Sequence, residues 1–122
     1  MSDLNPITYK IIGCAMEVHN ELGNGFQEVV YQRSLAIEMG DQGLNYLREQ
    51  EVPLHYKGNN VGTRRADFIV EEEILVEIKA LISLEDVHLA QGLNYLKAYG
   101  LSTGLLINFG ATKLEYKRLY QK

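Results

Sequence analysis

The chain has no tryptophan, one cysteine and two prolines among its 122 residues. Cys14 has no internal partner, so no intrachain disulfide forms, and this usage suits a reducing compartment. No apolar run approaches the length that spans a bilayer, which excludes a membrane-embedded helix. The start, Met1-Ser2-Asp3-Leu4-Asn5-Pro6, has neither the basic stretch nor the apolar segment of a secretory signal, so the expected location is the cytoplasm. Excess positive charge is missing too. The net charge of -4 excludes a protein that coats nucleic acid without specificity, because such proteins are basic overall. His19 and His55 stand alone, and no His-x-x-x-His or cysteine pair occurs, which argues against zinc. Neither a Gly-rich phosphate loop nor a serine-triad pattern is present. Without repeat, linker or low-complexity segment, residues 1–122 read as a single domain.

What is present alternates between two periodicities. Asn5-Pro6 is a helix start, with Asn5 as cap and Pro6 in the first turn. Ile7, Ile11, Cys14, Ala15, Val18 and Leu22 then recur at helical spacing. Cys14 lies on that stripe and reads as a buried small hydrophobe rather than a nucleophile. A second helix is expected from Phe26 to about Met39, closed by Gly40 and Gly43. Tyr46 to Tyr56 and Val61 to Val70 read as strands around a Lys57–Asn60 turn, with Pro53 marking an edge or a bulge. Glu71-Glu72-Glu73 reads as a solvated turn. Ile74 to Leu81 is a third strand and Leu84 to Tyr99 a helix ended by Gly100. Thr103 to Phe109 and Thr112 to Tyr120 complete the order ααβββαββ, an α/β sheet flanked by helices. Lys113, Lys117, Arg118 and Lys122 read as a solvated strand edge, and Arg64-Arg65 stand close to Asp67 in sequence.

The third strand carries the chemistry. Side chains alternate along a strand, so Glu77 and Lys79 share one face while Val76, Ile78 and Ala80 take the other. An acid and a base inside an apolar run are costly to bury without a purpose. The preceding strand places Asp67 in a second apolar run, Ala66-Asp67-Phe68-Ile69-Val70. The turn at Glu71–Glu73 folds the two strands together and brings Asp67 near Glu77. Two converging carboxylates repel unless a cation lies between them. Oxygen ligands select a hard cation, most naturally Mg²⁺.

The spacing Asp67 then Glu77-Ile78-Lys79 resembles the D…(D/E)xK signature of PD-(D/E)XK nucleases. Gly25-Phe26-Gln27-Glu28-Val29-Val30-Tyr31 fits GxxExxY, the motif that names one family of that superfamily. Val18-His19, Val87-His88-Leu89-Ala90-Gln91, Asn94-Tyr95-Leu96 and Gly104-Leu105-Leu106-Ile107-Asn108-Phe109-Gly110 resemble that family as well, so the likeness runs from about Ile7 to Tyr116. Asn24 stands where proline is expected.

The resemblance implies a restriction-endonuclease-like core and Mg²⁺-dependent hydrolysis of phosphodiester bonds in DNA, with Mn²⁺ as a substitute cation. It implies that Asp67 and Glu77 hold the metal with the Ile78 backbone carbonyl, that Lys79 positions the attacking water, and that Glu28 and Gln91 complete the polar shell. Tyr31, His88 and Tyr95 would support them. On the last helix His88, Gln91 and Tyr95 are expected on one face, with Leu89, Leu93 and Leu96 forming a core face. Two other readings stay open: a nucleic-acid- or protein-binding module that keeps the fold without turnover, and a subunit whose groove is completed by a homo-oligomer or a protein partner.

Overall fold

The computed structural model describes residues 5–121. The absence of a signal at Met1–Leu4 and the place of Lys122 in the C-terminal basic group lie outside those residues. Helix α1 (Pro6–Leu22) starts where the Asn5 side chain accepts the Ile7 and Thr8 N–H groups at 2.8 and 3.2 Å, satisfying two of the helix's free donors. Its apolar stripe is buried at Ile11, Cys14, Ala15 and Val18. Burial raises the Cys14 thiol to about 11, with Glu38 adding to it, so the group stays a neutral hydrophobe. Helix α2 (Glu28–Asp41) begins two residues later than the apolar pattern suggests, because Gln27 ahead of it is extended, without a side-chain cap, and Phe26 N–H is held by the Tyr31 hydroxyl. No helix among the described residues is long and apolar enough to cross a membrane.

Five strands follow in the sheet order β1-β2-β3-β4-β5. They are β1 (Tyr46–Tyr56), β2 (Asn59–Val70), β3 (Ile74–Lys79), β4 (Thr103–Asn108) and β5 (Glu115–Tyr120). Pro53 lies on the edge strand β1, beside a register shift between Leu54 and His55, as its missing N–H requires. Only β3 and β4 are parallel, and α3 (Asp86–Tyr99) makes the crossover. Alternation on β3 divides the interior. Ile74, Val76 and Ile78 join Tyr31, Leu35, Phe68 and Ile107 beneath α1 and α2. Leu75 joins Leu96, Leu106 and Leu119 beneath α3.

Helix α3 starts at Asp86 rather than Leu84, since Glu85 and His88 form a reciprocal cap ahead of it. Its packing corrects the expected leucine face. Leu96 is buried and Leu89 partly so, but Leu93 is 43% exposed. The helix approaches the sheet through Gly92, where a Cβ would stand 2.7 Å from Leu119 Cδ1. The next residue, Leu93, is thereby turned outward. β5 also starts later than the alternation suggests, at Glu115, because the chain from Gly110 to Leu114 bends before it pairs with β4.

Candidate metal centre

The site lies where β2 parts from β3. These strands pair only from Phe68–Val76 to Val70–Ile74, so regular pairing stops one residue before Asp67 and Glu77. β2 turns about itself at this point: Ala66 packs in the core under α3, whereas Phe68 packs under α1 and α2. Across the strand pair, Glu49 adopts a positive φ of 58°. The Asp67 side chain takes over the interrupted ladder. Its Oδ2 accepts the Ile78 N–H at 2.8 Å, where a strand carbonyl would otherwise sit. Its Oδ1 accepts from Gln32 Nε2 of α2 at 2.8 Å. The Asp67 N–H in turn donates to Glu77 Oε2 at 3.2 Å.

Glu77 is 3% exposed. Burial, followed by the charge of Asp67, pushes its carboxyl up to about 7, against the partial relief given by the Asp67 N–H, Arg64 and Lys79. Asp67 is raised by burial as well, opposed chiefly by the Ile78 N–H and Gln32. Glu28, in the first turn of α2, is raised by desolvation and then by Asp67, with Lys79 and the Ala80 N–H opposing. Three carboxyl groups of raised affinity for protons therefore surround one half-buried lysine. Lys79 forms no ion pair among the described residues, although its charge acts on all three acids.

The backbone adds an oxygen. Lys79 C=O accepts from Phe109 N–H and so faces β4. Alternation then turns the Ile78 carbonyl toward the β2 side, where its N–H already meets Asp67. No group of three or more His, Cys, Asp or Glu side chains is gathered closely enough to hold a cation among the described residues. What the gap offers is two carboxylates and a main-chain carbonyl, with Glu28 beyond them. This donor set fits Mg²⁺, which keeps several waters and takes one or two carboxylates, better than an ion that needs a closed cage. The free lone pairs of Asp67 and Glu77 remain available beyond the hydrogen bonds described.

Two members of the site were not apparent from sequence. Gln32 fixes Asp67 from α2, at a separation of 35 residues. Arg64 lies with its Nη2 3.8 Å from Glu77 Oε1 and its guanidinium 3.8 Å over the Tyr95 ring. In sequence Arg64 is only a basic residue close to Asp67; strict alternation would put it on the face of Phe68, and the turn of β2 between Ala66 and Phe68 brings it to Glu77 instead.

The supporting residues divide. Tyr31 is buried, stacks on Phe109 at 4.7 Å and donates to Gly23 C=O at 2.6 Å, so it fastens the α1–α2 turn to the sheet. Tyr95 is the platform beneath Arg64. His88 is occupied at the start of α3, where its Nδ1 accepts the Glu85 N–H at 3.0 Å. Gln91 is half-buried and makes no side-chain hydrogen bond among the described residues. His19 Nε2–H donates to Ala111 C=O at 3.0 Å and is structural. A shallow cleft lined by Asn45, Tyr46, Leu47, Ile69, Glu71 and Glu72 contains none of the site residues.

A family model described as the PD-(D/E)XK nuclease superfamily matches residues 5–119. Among solved structures, the crystal structure of SSO0001 is similar with a TM-score of 0.59 at 20% identity, over 75% of this chain and 48% of that one. The chain thus spans about half the length of that protein, and the likeness is one of fold. No curated protein matches.

Proposed function

The chain belongs to the PD-(D/E)XK nuclease superfamily, and from that premise we propose that it hydrolyses phosphodiester bonds in DNA with Mg²⁺, or Mn²⁺ in its place, as a member of the branch named for GxxExxY. The motif Gly25, Glu28 and Tyr31 supports the branch, since Tyr31 secures the turn and Glu28 opens α2 beside Asp67. One observation carries the activity: β2 leaves β3 at the position where Asp67 and Glu77 meet, and Lys79 follows Glu77 two residues on along β3.

Asp67, Glu77 and the Ile78 carbonyl would hold the cation. When bound, it supplies charge to the phosphate oxygens and a water of lowered pKa. The protein's own groups do the rest. Gln32 and the Ile78 N–H fix the Asp67 carboxylate so that its remaining lone pairs face the gap. Lys79 holds the attacking water, and its charge opposes that building on the phosphate. Glu28, whose carboxyl feels the charge of Asp67, and Gln91, whose side chain makes no hydrogen bond among the described residues, would accept from and donate to the water around the cation.

The test is cleavage of plasmid and linear DNA with and without Mg²⁺, comparing wild type with Lys79→Ala. Cation-dependent cleavage that falls on the order of 10²–10⁴-fold in the variant, with unchanged circular dichroism, supports the reading. Activity within a few-fold of wild type removes Lys79 from catalysis. Cleavage that persists unchanged in EDTA removes the metal.

A further inference from the structure

The β1–β2 hairpin is much longer than the sheet that holds it. β1 pairs with β2 from Tyr46–Val70 out to Tyr56–Asn59, but β3 covers only Phe68 to Val70. The part from Gln50 to Ala66 is therefore a two-stranded ribbon without a third strand. At ~3.3 Å per residue its arms reach about 20 Å beyond the site. Its root is fixed: the Tyr99 hydroxyl accepts the Ala66 N–H at 2.8 Å and also bonds the Gln50 carbonyl of the other strand. The ribbon springs directly from the metal gap, because Arg64, on it, reaches Glu77.

Its composition differs from the rest of the chain. From Gln50 to Ala66 the ribbon carries Lys57, Arg64 and Arg65 against the single acid Glu51, in a chain whose net charge is -4; Arg65 pairs with Glu51 at 3.4 Å with both side chains exposed, and Arg64 leans toward Glu77 at the root. The tip exposes Tyr56 and Val61, each 64% accessible, with Lys57 over the Tyr56 ring. Asn59 and Asn60 add exposed amides. Edge pairing with a second copy is opposed on β1 by Pro53 and the neighbouring register shift, and on β2 by Arg64 and Arg65. A cationic ribbon with amide and apolar groups at its tip fits a polyanionic duplex, whose major groove admits a two-stranded ribbon.

We infer that the β1–β2 ribbon is a nucleic-acid-binding arm, which lies in the major groove of duplex DNA and carries the backbone to Asp67 and Glu77. This rests on the nuclease reading and adds to it the surface that engages substrate. Arm contacts raise affinity for the duplex, not the rate at the scissile bond.

The test uses Lys57→Glu/Arg65→Gln in the full chain, and a control with the same charge change, Lys113→Glu/Lys117→Gln, on and beside β5. Binding to a fluorescein-labelled DNA duplex is read by anisotropy in Ca²⁺ across a salt series, and cleavage in Mg²⁺. The arm variant is expected to bind at least about tenfold more weakly, with a salt slope smaller by about 2 if two phosphate contacts are lost. Its KM should rise while kcat stays within a few-fold, and the control should follow wild type. Wild-type binding and KM in the arm variant overturn the arm and leave the nuclease reading standing. Equal weakening in the control attributes the effect to net charge and also overturns it. A wild type that neither binds nor cleaves nucleic acid overturns both readings. Sedimentation that shows a wild-type dimer and a monomeric arm variant assigns the ribbon to a second copy instead.

Discussion

At Glu77, burial and the charge of Asp67 act in the same direction, and together they move the carboxyl to about 7 from an ordinary value of 4.5. The folded protein then binds this proton more tightly than the unfolded chain does. Stability contributed by Glu77 is complete below about 4.5 and is lost as pH rises through about 7, by roughly 3 kcal/mol for a shift of this size. Arg64 limits the loss but does not cancel it, since its nearest nitrogen is 3.8 Å away. A cation takes the deprotonated form, so added Mn²⁺ should oppose the loss and bind more tightly as pH rises. The check is the melting temperature from pH 4.5 to 8 in EDTA and in Mn²⁺, for wild type and Glu77→Gln. Wild type in EDTA should fall relative to the variant across that range, and Mn²⁺ should flatten the difference. A wild type that gains stability relative to Glu77→Gln with rising pH would mean that Glu77 has an ordinary ion-pair role.

At the level of elements, the end of β3 is held by β4 and its following turn. Buried Asn108 accepts the Leu81 N–H at 2.8 Å and donates to the Leu81 C=O at 2.9 Å, while Gly110 N–H returns to Asn108 at 3.1 Å. This clamp lies two residues beyond Lys79 and fixes how the strand leaves the site. At Gly110 a Cβ would stand 2.4 Å from the Leu81 backbone N and O. Gly110→Ala should therefore cost about 2–3 kcal/mol, as overpacking against backbone does, and should displace Lys79 enough to lower cleavage. Gly13→Ala, in exposed helix with nothing within 4 Å, should instead add up to ~1 kcal/mol. Thermal melts of the two variants check both signs, and tolerance of Ala at 110 would mean that the clamp yields freely. Much of this element level is legible from sequence. Period-two alternation separates Glu77 and Lys79 from Val76 and Ile78, and the Glu71–Glu73 turn folds Asp67 back toward Glu77. Contacts set by docking are not legible. Gln32 meets Asp67 only once α2 lies on the sheet. Leu93 faces water because Gly92, its neighbour, makes the close approach. β2 parts from β3 through a twist that alternation does not encode.

Across the whole molecule, the charge gathered in the site has little close internal pairing beyond Arg64 and Glu77, and the proposed cation would offset it. Asp67, Glu77 and Glu28 are all raised, and Lys79 closes an ion pair with none of them among the described residues. A cation that binds only the folded chain stabilises it by RT ln(1 + [L]/Kd), roughly 2.7 kcal/mol at a hundredfold excess over Kd. For a domain of this size about 1 kcal/mol moves the midpoint by roughly 4–8 °C, so Mn²⁺ at millimolar concentration should raise the melting temperature by several degrees. Asp67→Asn should abolish that response. Its effect in EDTA is set by two opposing features. Neutralisation removes a buried charge whose carboxyl is already raised, but an amide keeps only one acceptor oxygen for the two donors that Asp67 serves, Ile78 N–H and Gln32 Nε2. Rotation of the Gln32 amide resolves this, because its oxygen then accepts from the new Asn amide while Ile78 N–H keeps its partner. The variant in EDTA should therefore melt at or above the wild-type temperature. Gln32→Leu combined with Asp67→Asn should lose that compensation and melt lower. The six melts, three proteins each with and without Mn²⁺, separate these terms. A wild type indifferent to Mn²⁺, or an Asp67→Asn protein that responds equally, would show that the gap between β2 and β3 is not where the cation binds.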